Sequence, residues 1–175
     1  DLGVPVHLDG ARLWNAAVAH DVPPARFTEQ VDSVLCCLSK GLGAPVGSVL
    51  AGSEDFIGEA HRVRKLMGGG MRQAGMIAAP GLLALERRAE LAADHERADR
   101  LAAGLDGVDG LTAHEPETNI VIVETDRPAE AVLEAWESAG VLAVPFDDHT
   151  IRCCTHWDVD DADVTAALER IEAAA

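Results

Sequence analysis

An aspartate and a lysine stand at the ends of two short apolar runs near the start of the chain. Asp9 closes the run that begins at Val6, and Lys40 follows Cys37-Leu38-Ser39 thirty-one residues after Asp9. Short runs of this kind are typical of buried strands. A lysine amine can bond to an aldehyde carbon and a carboxylate can pair with a protonated ring nitrogen, which are the two needs of pyridoxal phosphate. The spacing alone is not specific, because an aspartate and a lysine at this separation occur in many sequences.

The elements that must position these residues alternate between strands and helices. In the first half, apolar runs without polar alternation predict strands at 4–8, 33–38 and 48–51, covered on both faces. Helices are predicted at 11–20 and 53–66, the second with Ser53 as its N-cap. Residues 73–105 predict one or two helices, with a kink or break at Pro80-Gly81.

The pattern changes after Gly104, where short strands and helices follow one another. The predicted strands are 111–114, 119–124, 142–144 and 150–154, and the predicted helices are 128–138 and 158–173, the last capped by Asp158. We therefore expect an α/β protein with two parts. Residues 1–91 carry a mostly parallel sheet with helices, and residues 92–175 form a small α+β domain.

Four segments, in order along the chain, resemble the low-specificity L-threonine aldolase family. They are His7–Ala16, Cys37–Ser48, Arg64–Gly75 and Ile151–Val159. The resemblance implies an enzyme of pyridoxal phosphate fold type I, related to aspartate aminotransferase. It also implies cleavage of L-threonine, L-allo-threonine and related β-hydroxy-α-amino acids to glycine and an aldehyde.

Members of that family are longer than this chain. The resemblance therefore implies that residues 1–91 are the C-terminal part of the large, cofactor-binding domain. The family's phosphate-binding glycine loop, ring-stacking histidine and hydroxyl-sensing groups match nothing in this sequence. We expect activity only from a full-length parent, in which those groups would be present.

The resemblance assigns roles in the cofactor site to three residues. Lys40 is the catalytic amine, Asp9 holds the ring nitrogen, and Arg12 lies beside cofactor and substrate. Other readings stay open on the sequence alone. Lys40 could be a surface lysine, Asp9 could cap the helix that starts near Ala11, and Arg12 could pair with Asp9.

The resemblance assigns the substrate carboxylate to Arg152. A guanidinium binds a carboxylate through two parallel hydrogen bonds, which an ammonium cannot do. A structural arginine on a strand edge is the alternative. Arg72 and Lys65 flank the three glycines at 68–70 and are candidates for an anion site or a subunit boundary, although Lys65 equally suits the end of a helix.

Charge is unevenly distributed. Residues 1–89 hold nine acidic and nine basic residues, whereas residues 90–175 hold twenty-one against five, which accounts for the net charge of −16. Nucleic acid is excluded as a partner by this sign. Lysine occurs only at Lys40 and Lys65, so the surface is either adapted to high salt, where repulsion is screened, or simply acidic. No stretch is long and apolar enough for a membrane span, and a cytoplasmic location is the default expectation.

The cysteines form two adjacent pairs, Cys36-Cys37 and Cys153-Cys154, which lack zinc-ligand spacing and predict buried, reduced thiols. His7 and His156 are interpreted as packing groups, and no metal is predicted. Two other functions remain open: another fold type I lyase or aminotransferase, and a noncatalytic interaction domain. The segment Gly68–Gln73 favours the aldolase. A homotetramer is implied by the resemblance alone.

Overall fold

The computed structural model describes residues 3–175, which fold as two compact units. The first ends at Ala89 and the second is Glu90–Ala175. Each unit has its own sheet.

The first unit is built on a three-stranded sheet. Its strands are β1 His7–Asp9, β2 Ser33–Cys37 and β3 Ser48–Gly52, in that order. β1 pairs with β2 in parallel, with Asp9 opposite Leu35. β3 pairs with β2 in the opposite direction. The predicted parallel arrangement therefore holds for the first pairing only, because the short connection between β2 and β3 contains no crossover helix.

Two helices make the crossover between the parallel strands. They are α1 Leu13–Ala19 and α2 Ala25–Thr28, the second of which the sequence pattern did not predict. A small core forms where Leu13 of α1 packs on Val34 and Cys36 of β2. The opposite face of β1 carries His7 and Asp9, since neighbouring strand residues alternate between faces.

The helix after β3 begins and ends as the sequence predicts. α3 is Glu54–Leu66, and the Ser53 side chain accepts a hydrogen bond from the Phe56 amide at its start. Basic residues Arg64 and Lys65 occupy its last turn, where they offset the partial negative charge of the helix end.

The predicted break at Pro80-Gly81 is wrong. α4, Gly75–Glu86, runs through Pro80 without ending, and the break falls at a short 3-10 turn, Arg88–Glu90. Gly81 lies so close to Leu38 that an added Cβ would be 3.0 Å from its Cδ1. The close approach of Leu38 to this turn of the helix favours a glycine at position 81.

The first unit exposes many large apolar side chains. They are Val4, Val6, Val46, Val49, Phe56, Val63, Leu66, Met67, Met71, Met76, Leu82 and Leu83. The expectation that its strands are covered on both faces is therefore wrong for β3, in which only Leu50 is partly buried. Apolar surface of this extent is typical of a face that further polypeptide covers.

The second unit is a four-stranded antiparallel sheet with three helices. The strands are β4 Leu111–Ala113, β5 Ile120–Thr125, β6 Val144–Asp147 and β7 Thr150–Cys154, and their spatial order is β4-β5-β7-β6. The helices are α5 Leu91–Leu105, α6 Ala129–Ser138 and α7 Asp161–Ala174.

One face of this sheet carries the core. Val121 and Val123 of β5 and Ile151 of β7 are fully buried, and they pack with residues of all three helices, among them Leu105 and Trp136. Alternation along each strand leaves the other face of the sheet free of these helices.

Two details of the second unit correct the sequence prediction. The predicted strand at 142–144 is shifted to β6, an edge strand that includes Pro145, which a strand tolerates only where no ladder hydrogen bond is needed. α7 is capped by Asp160, not Asp158. The Asp160 side chain accepts from the amides of Ala162 and Asp163, and Asp163 completes the capping box.

Within the described residues, no helix combines the length and apolar character that crossing a membrane requires.

Candidate active site

Asp9 and Lys40 lie at the same edge of the first sheet. Asp9 is the last residue of β1, and Lys40 follows the end of β2 by three residues. β1 and β2 run in parallel, so their carboxyl ends meet at one edge. This edge is where open α/β sheets bind ligands.

Asp9 is exposed and does not cap α1. The N-cap position is occupied by Arg12, and Asp9 Oδ1 instead accepts a hydrogen bond of 3.1 Å from the Ala11 amide. Gly10 follows with its amide bonded to the Leu35 carbonyl at 2.8 Å, and a Cβ at this position would lie 3.0 Å from that oxygen. The glycine thus lets β1 end tightly against β2 and presents the Asp9 carboxylate at the edge.

Lys40 stands at the tip of a loop that is closed by backbone hydrogen bonds. The Leu38 amide bonds to the Gly47 carbonyl at 3.0 Å, and the Gly43 amide bonds to the Lys40 carbonyl at 2.8 Å. Leu42 and Ala44 are buried and anchor the loop. Lys40 itself is exposed, and none of the ion pairs found among residues 3–175 involves it. The loop therefore presents the Lys40 side chain at the surface.

Arg12 is partly buried and lies next to the same strand end. Its Nε atom is buried and has no hydrogen-bond partner among the described residues. The alternative of a salt bridge between Arg12 and Asp9 is not found in the described part of the chain. A buried donor without a partner costs about 1–3 kcal/mol, so such a group normally meets an acceptor.

Arg152 belongs to the second unit and points away from its core. It lies between Ile151, which is fully buried, and Cys153, which packs against the core, so its side chain projects from the helix-free face of the sheet. Its neighbours in register are Ile122 of β5 and Val144 of β6. In a unit rich in carboxylates, the described residues give Arg152 no ion pair, whereas Arg97 and Arg100 are both paired.

Lys65 and Arg72 are exposed residues on either side of the glycines at 68–70. Lys65 lies in the last turn of α3, and Arg72 precedes Gln73, which adopts a positive φ of 52°. Within the described residues neither side chain has an ion pair. The partial negative charge at the end of α3 stabilises the positive charge of Lys65, whereas Arg72 does not lie at the end of that helix.

The cysteines are unbonded thiols of unequal burial. Cys36 is buried, Cys37 and Cys153 are partly buried, and Cys154 is exposed, so the expectation of burial is wrong for Cys154. Burial raises the pKa of the Cys153 thiol to about 12. It also raises the pKa of the Cys36 thiol. The described residues contain no cluster of His, Cys, Asp and Glu suited to a metal ion.

Sequence reasoning missed two buried polar residues beside the strand of Arg152. Asn119 and Thr155 are each 1% exposed and bond to each other's backbone. The available signal was an uncharged polar residue at the border of each of two apolar strands, a position that must be satisfied when it is buried.

Comparison with known proteins identifies the family. A family model described as beta-eliminating lyase matches residues 1–128. The chain belongs to the beta-eliminating lyase family. The resemblance to low-specificity L-threonine aldolases and the assignment to pyridoxal phosphate fold type I are both confirmed.

Curated relatives lie among the threonine aldolases. The chain is 42% identical to the low-specificity L-threonine aldolase 1 of Arabidopsis thaliana, over 95% of its own length and 48% of the relative's. It is also 42% identical to the low specificity L-threonine aldolase of Escherichia coli, over 88% of its length and 46% of the relative's. The chain thus spans about half the length of the curated relatives it matches.

Solved structures show the same fold at lower identity. The threonine aldolase of Leishmania major superposes with a TM-score of 0.74 at 22% identity, covering 99% of this chain and 53% of that one. At this identity the similarity shows a shared fold and nothing more.

The residues of this family member fit its cofactor. Pyridoxal phosphate is the cofactor of this family and fold, and it needs a carboxylate for its ring nitrogen and an amine for its aldehyde. The edge of the first sheet presents a carboxylate, Asp9, and an amine, Lys40, which are groups of the two kinds that the cofactor needs. Arg12, whose buried Nε lacks a partner among the described residues, follows the end of β1 as the N-cap residue of α1.

Thiol reactivity tests the strand alternation that directs Arg152 away from the core. Brief treatment of the native protein with iodoacetamide should modify Cys154 well before Cys153, because Cys154 is exposed, whereas Cys153 is partly buried against the core and its pKa is raised to about 12. Fragmentation mass spectrometry of the peptide that contains both residues measures the order. Unfolded protein, in which the two should react alike, is the control. Earlier modification of Cys153 would place Arg152 on the core side and remove it from the site.

Proposed function

We propose that the full-length protein carrying this chain is a pyridoxal phosphate-dependent aldolase. Its substrates are L-threonine, L-allo-threonine and related β-hydroxy-α-amino acids, which it cleaves to glycine and an aldehyde. The observation that carries this proposal is the placement of the Lys40 amine and the Asp9 carboxylate at one edge of a parallel strand pair. The similarity of the chain to known enzymes supports an aldolase, since the chain is 42% identical to low-specificity L-threonine aldolases along most of its length.

The cofactor, when bound, supplies an electron sink for the substrate's α-carbon. In the overall reaction the bond between Cα and Cβ breaks, the β-hydroxyl loses its proton as its carbon becomes the aldehyde, and Cα gains a proton. In this proposal the residues of the chain bind the cofactor and the substrate and orient them. Asp9 keeps the ring nitrogen protonated, and Lys40 contributes the amine that holds the cofactor.

Two arginines account for substrate binding in this proposal. Arg152 binds the substrate carboxylate through two parallel hydrogen bonds, a role that suits an unpaired guanidinium on an apolar strand face. Arg12, at the N-cap of α1 just after β1, lies beside the cofactor and the substrate. Arg72, with Lys65 beside it, serves an anion site or a subunit boundary.

The proposal extends to assembly and location. We assign the protein to a cytoplasmic homotetramer that is active only at full length. The large apolar surface of the first unit supports burial of that face in the assembled protein, since monomers rarely expose so much.

The acidic second unit suits a protein that works at high salt. Residues 90–175 contain no lysine and carry a net charge of −16, and screening of this repulsion favours the compact state. Raising KCl from about 0.1 M to about 1 M shortens the Debye length from about 10 Å to about 3 Å. The melting temperature of the protein should rise over this range.

Differential scanning fluorimetry measures that rise. A Glu115→Gln/Glu117→Gln variant, which removes two exposed carboxylates, should show a smaller dependence on salt than the parent. A melting temperature that stays level or falls with KCl would favour an ordinary acidic surface.

Replacing Lys40 tests the cofactor assignment. The full-length protein loaded with pyridoxal phosphate should absorb in the visible as an imine, and Lys40→Ala should abolish that absorbance because it removes the amine. Borohydride reduction of the parent should leave the cofactor mass on the peptide that contains Lys40. Lys65→Ala, which removes the only other lysine of this chain, is the matched control and should keep the absorbance. Recovery of the label on Lys65 would refute the assignment.

Replacing Arg152 tests the carboxylate assignment. Arg152→Ala should lower kcat/KM for L-threonine, because a charged contact to the substrate carboxylate is lost. The decrease should correspond to a loss of about 2–5 kcal/mol of transition-state stabilisation. Arg152→Lys should recover only part of this, since an ammonium keeps the charge but not the paired geometry. Steady-state kinetics measure both, with the exposed Arg127→Lys as control. Full activity in Arg152→Lys would make Arg152 structural and direct attention to Arg12.

A further inference from the structure

Three buried polar residues meet at the carboxyl end of β7. Asn119 and Thr155 are 1% exposed and Asp94 is 4% exposed. They come from the start of β5, the end of β7 and the first turn of α5. Buried polar groups at a junction of three elements restrict how the elements can move, because each must keep its hydrogen bond.

The first contacts join β7 to β5 beyond their last ladder pair, Ile120 with Cys154. The Thr155 amide donates to the Asn119 carbonyl at 3.0 Å. The Asn119 side-chain Nδ2 donates to the Thr155 carbonyl at 2.7 Å and contacts Cys154 Sγ at 3.2 Å. Asn119 therefore holds both the amide and the carbonyl of Thr155, the residue that follows β7.

The next contact joins β7 to α5. Thr155 Oγ1 donates to the Asp94 carbonyl at 2.6 Å. The Asp94 carboxylate accepts from Arg97 at 3.2 Å, and Arg97 also pairs with Asp161 of α7 at 3.2 Å. We refer to Asn119, Thr155 and Asp94 with these bonds as the strand-end clasp.

The group of Asp94 that accepts from the Thr155 hydroxyl is its backbone carbonyl. The Asp94 carboxylate, whose pKa burial raises, is bonded separately by Arg97. Because each of these buried polar groups needs its partner, one geometry of the strand end satisfies all of them.

The strand held by the clasp carries Arg152 three residues before Thr155. On its other side β7 pairs with β6, an exposed edge strand whose register shifts between Pro145 and Asp147. That side gives β7 an irregular support. The alignment of β7 therefore depends on β5 and on the clasp at its carboxyl end.

We propose that the strand-end clasp positions Arg152 for the substrate carboxylate. Asn119 and Thr155 act through the backbone of β7 and do not touch substrate, so they are positioning residues. Two parallel hydrogen bonds to a carboxylate tolerate little displacement of the guanidinium. The inference rests on the proposed function, in which Arg152 binds that carboxylate.

Thr155→Val tests the clasp in the full-length holoenzyme. Valine keeps the branched shape and removes the hydroxyl that bonds to the Asp94 carbonyl. We expect the KM for L-threonine to rise by about tenfold, the scale of one lost buried hydrogen bond, while kcat and the cofactor absorbance stay near those of the parent. Thr155→Ser, which keeps the hydroxyl, should return KM to within about twofold of the parent. Asn119→Ser, which removes the amide bond to the Thr155 carbonyl, is the second variant if Thr155→Val folds poorly.

Thr125→Val is the matched control. Thr125 is also a buried threonine of this sheet, 6% exposed, and its hydroxyl donates to the carbonyls of Arg127 and His149 at 2.7 Å and 3.1 Å. Its loss should lower the melting temperature about as much as Thr155→Val, with KM unchanged. An equal rise of KM in both variants would overturn the inference, since general loosening of the sheet would then explain it.

Combination with Arg152→Lys separates this inference from the proposed function. If the clasp acts through Arg152, then Thr155→Val should add little to the KM of Arg152→Lys, although the melting temperature still falls by a further step. If Arg152→Lys raises KM and Thr155→Val does not, or if the two effects multiply, the positioning role is overturned and the proposed function stands. If Arg152→Lys leaves KM unchanged, the carboxylate assignment and the inference drawn from it both fail.

Discussion

The parallel pairing of β1 with β2 is the constraint on which the site depends. Asp9 and Lys40 are separated by thirty residues of intervening chain. They share an edge because both strands point the same way and end together, with Gly10 bonded to Leu35 across the last rung. The short helices α1 and α2 make this possible, since a parallel pair needs a crossover and a tight hairpin would place the two strand ends at opposite edges.

In the second unit, the alternation of side chains along the strands decides which residues face away from the core. The core occupies one face of the sheet, where Val121, Val123 and Ile151 meet the helices. Arg152, one residue after Ile151, must then lie on the helix-free face. Hydrogen bonds at the strand end and an irregular edge at β6 determine how firmly that residue is held. Among the described residues Arg152 forms no ion pair, although the second unit holds twenty-one carboxylates, and its neighbours in register, Ile122 and Val144, are apolar.

The two units differ in how their surfaces meet water. The first is electrically balanced and exposes many large apolar side chains, whereas the second is strongly acidic and buries a single well-filled core. Large apolar side chains are also exposed on the second unit, at Leu142, Val144, Phe146 and Trp157, but they are fewer than on the first. The apolar surface of the first unit is of the kind that further polypeptide covers, whereas the charge of the second unit favours contact with water and ions.

The sequence by itself determined the elements whose signals are local. Ser53 and the basic last turn predict α3, the strand 150–154 agrees with β7, and the residues matching the family predict the cofactor and its fold. The tertiary structure decided what depends on distant partners. Pro80 lies inside α4 without ending it, β3 turns antiparallel because its connection is short, and Asp160 rather than Asp158 meets the free amides of α7. Asn119 and Thr155 belong to the same class, since a polar residue at a strand border shows its partners only when a third element closes over it.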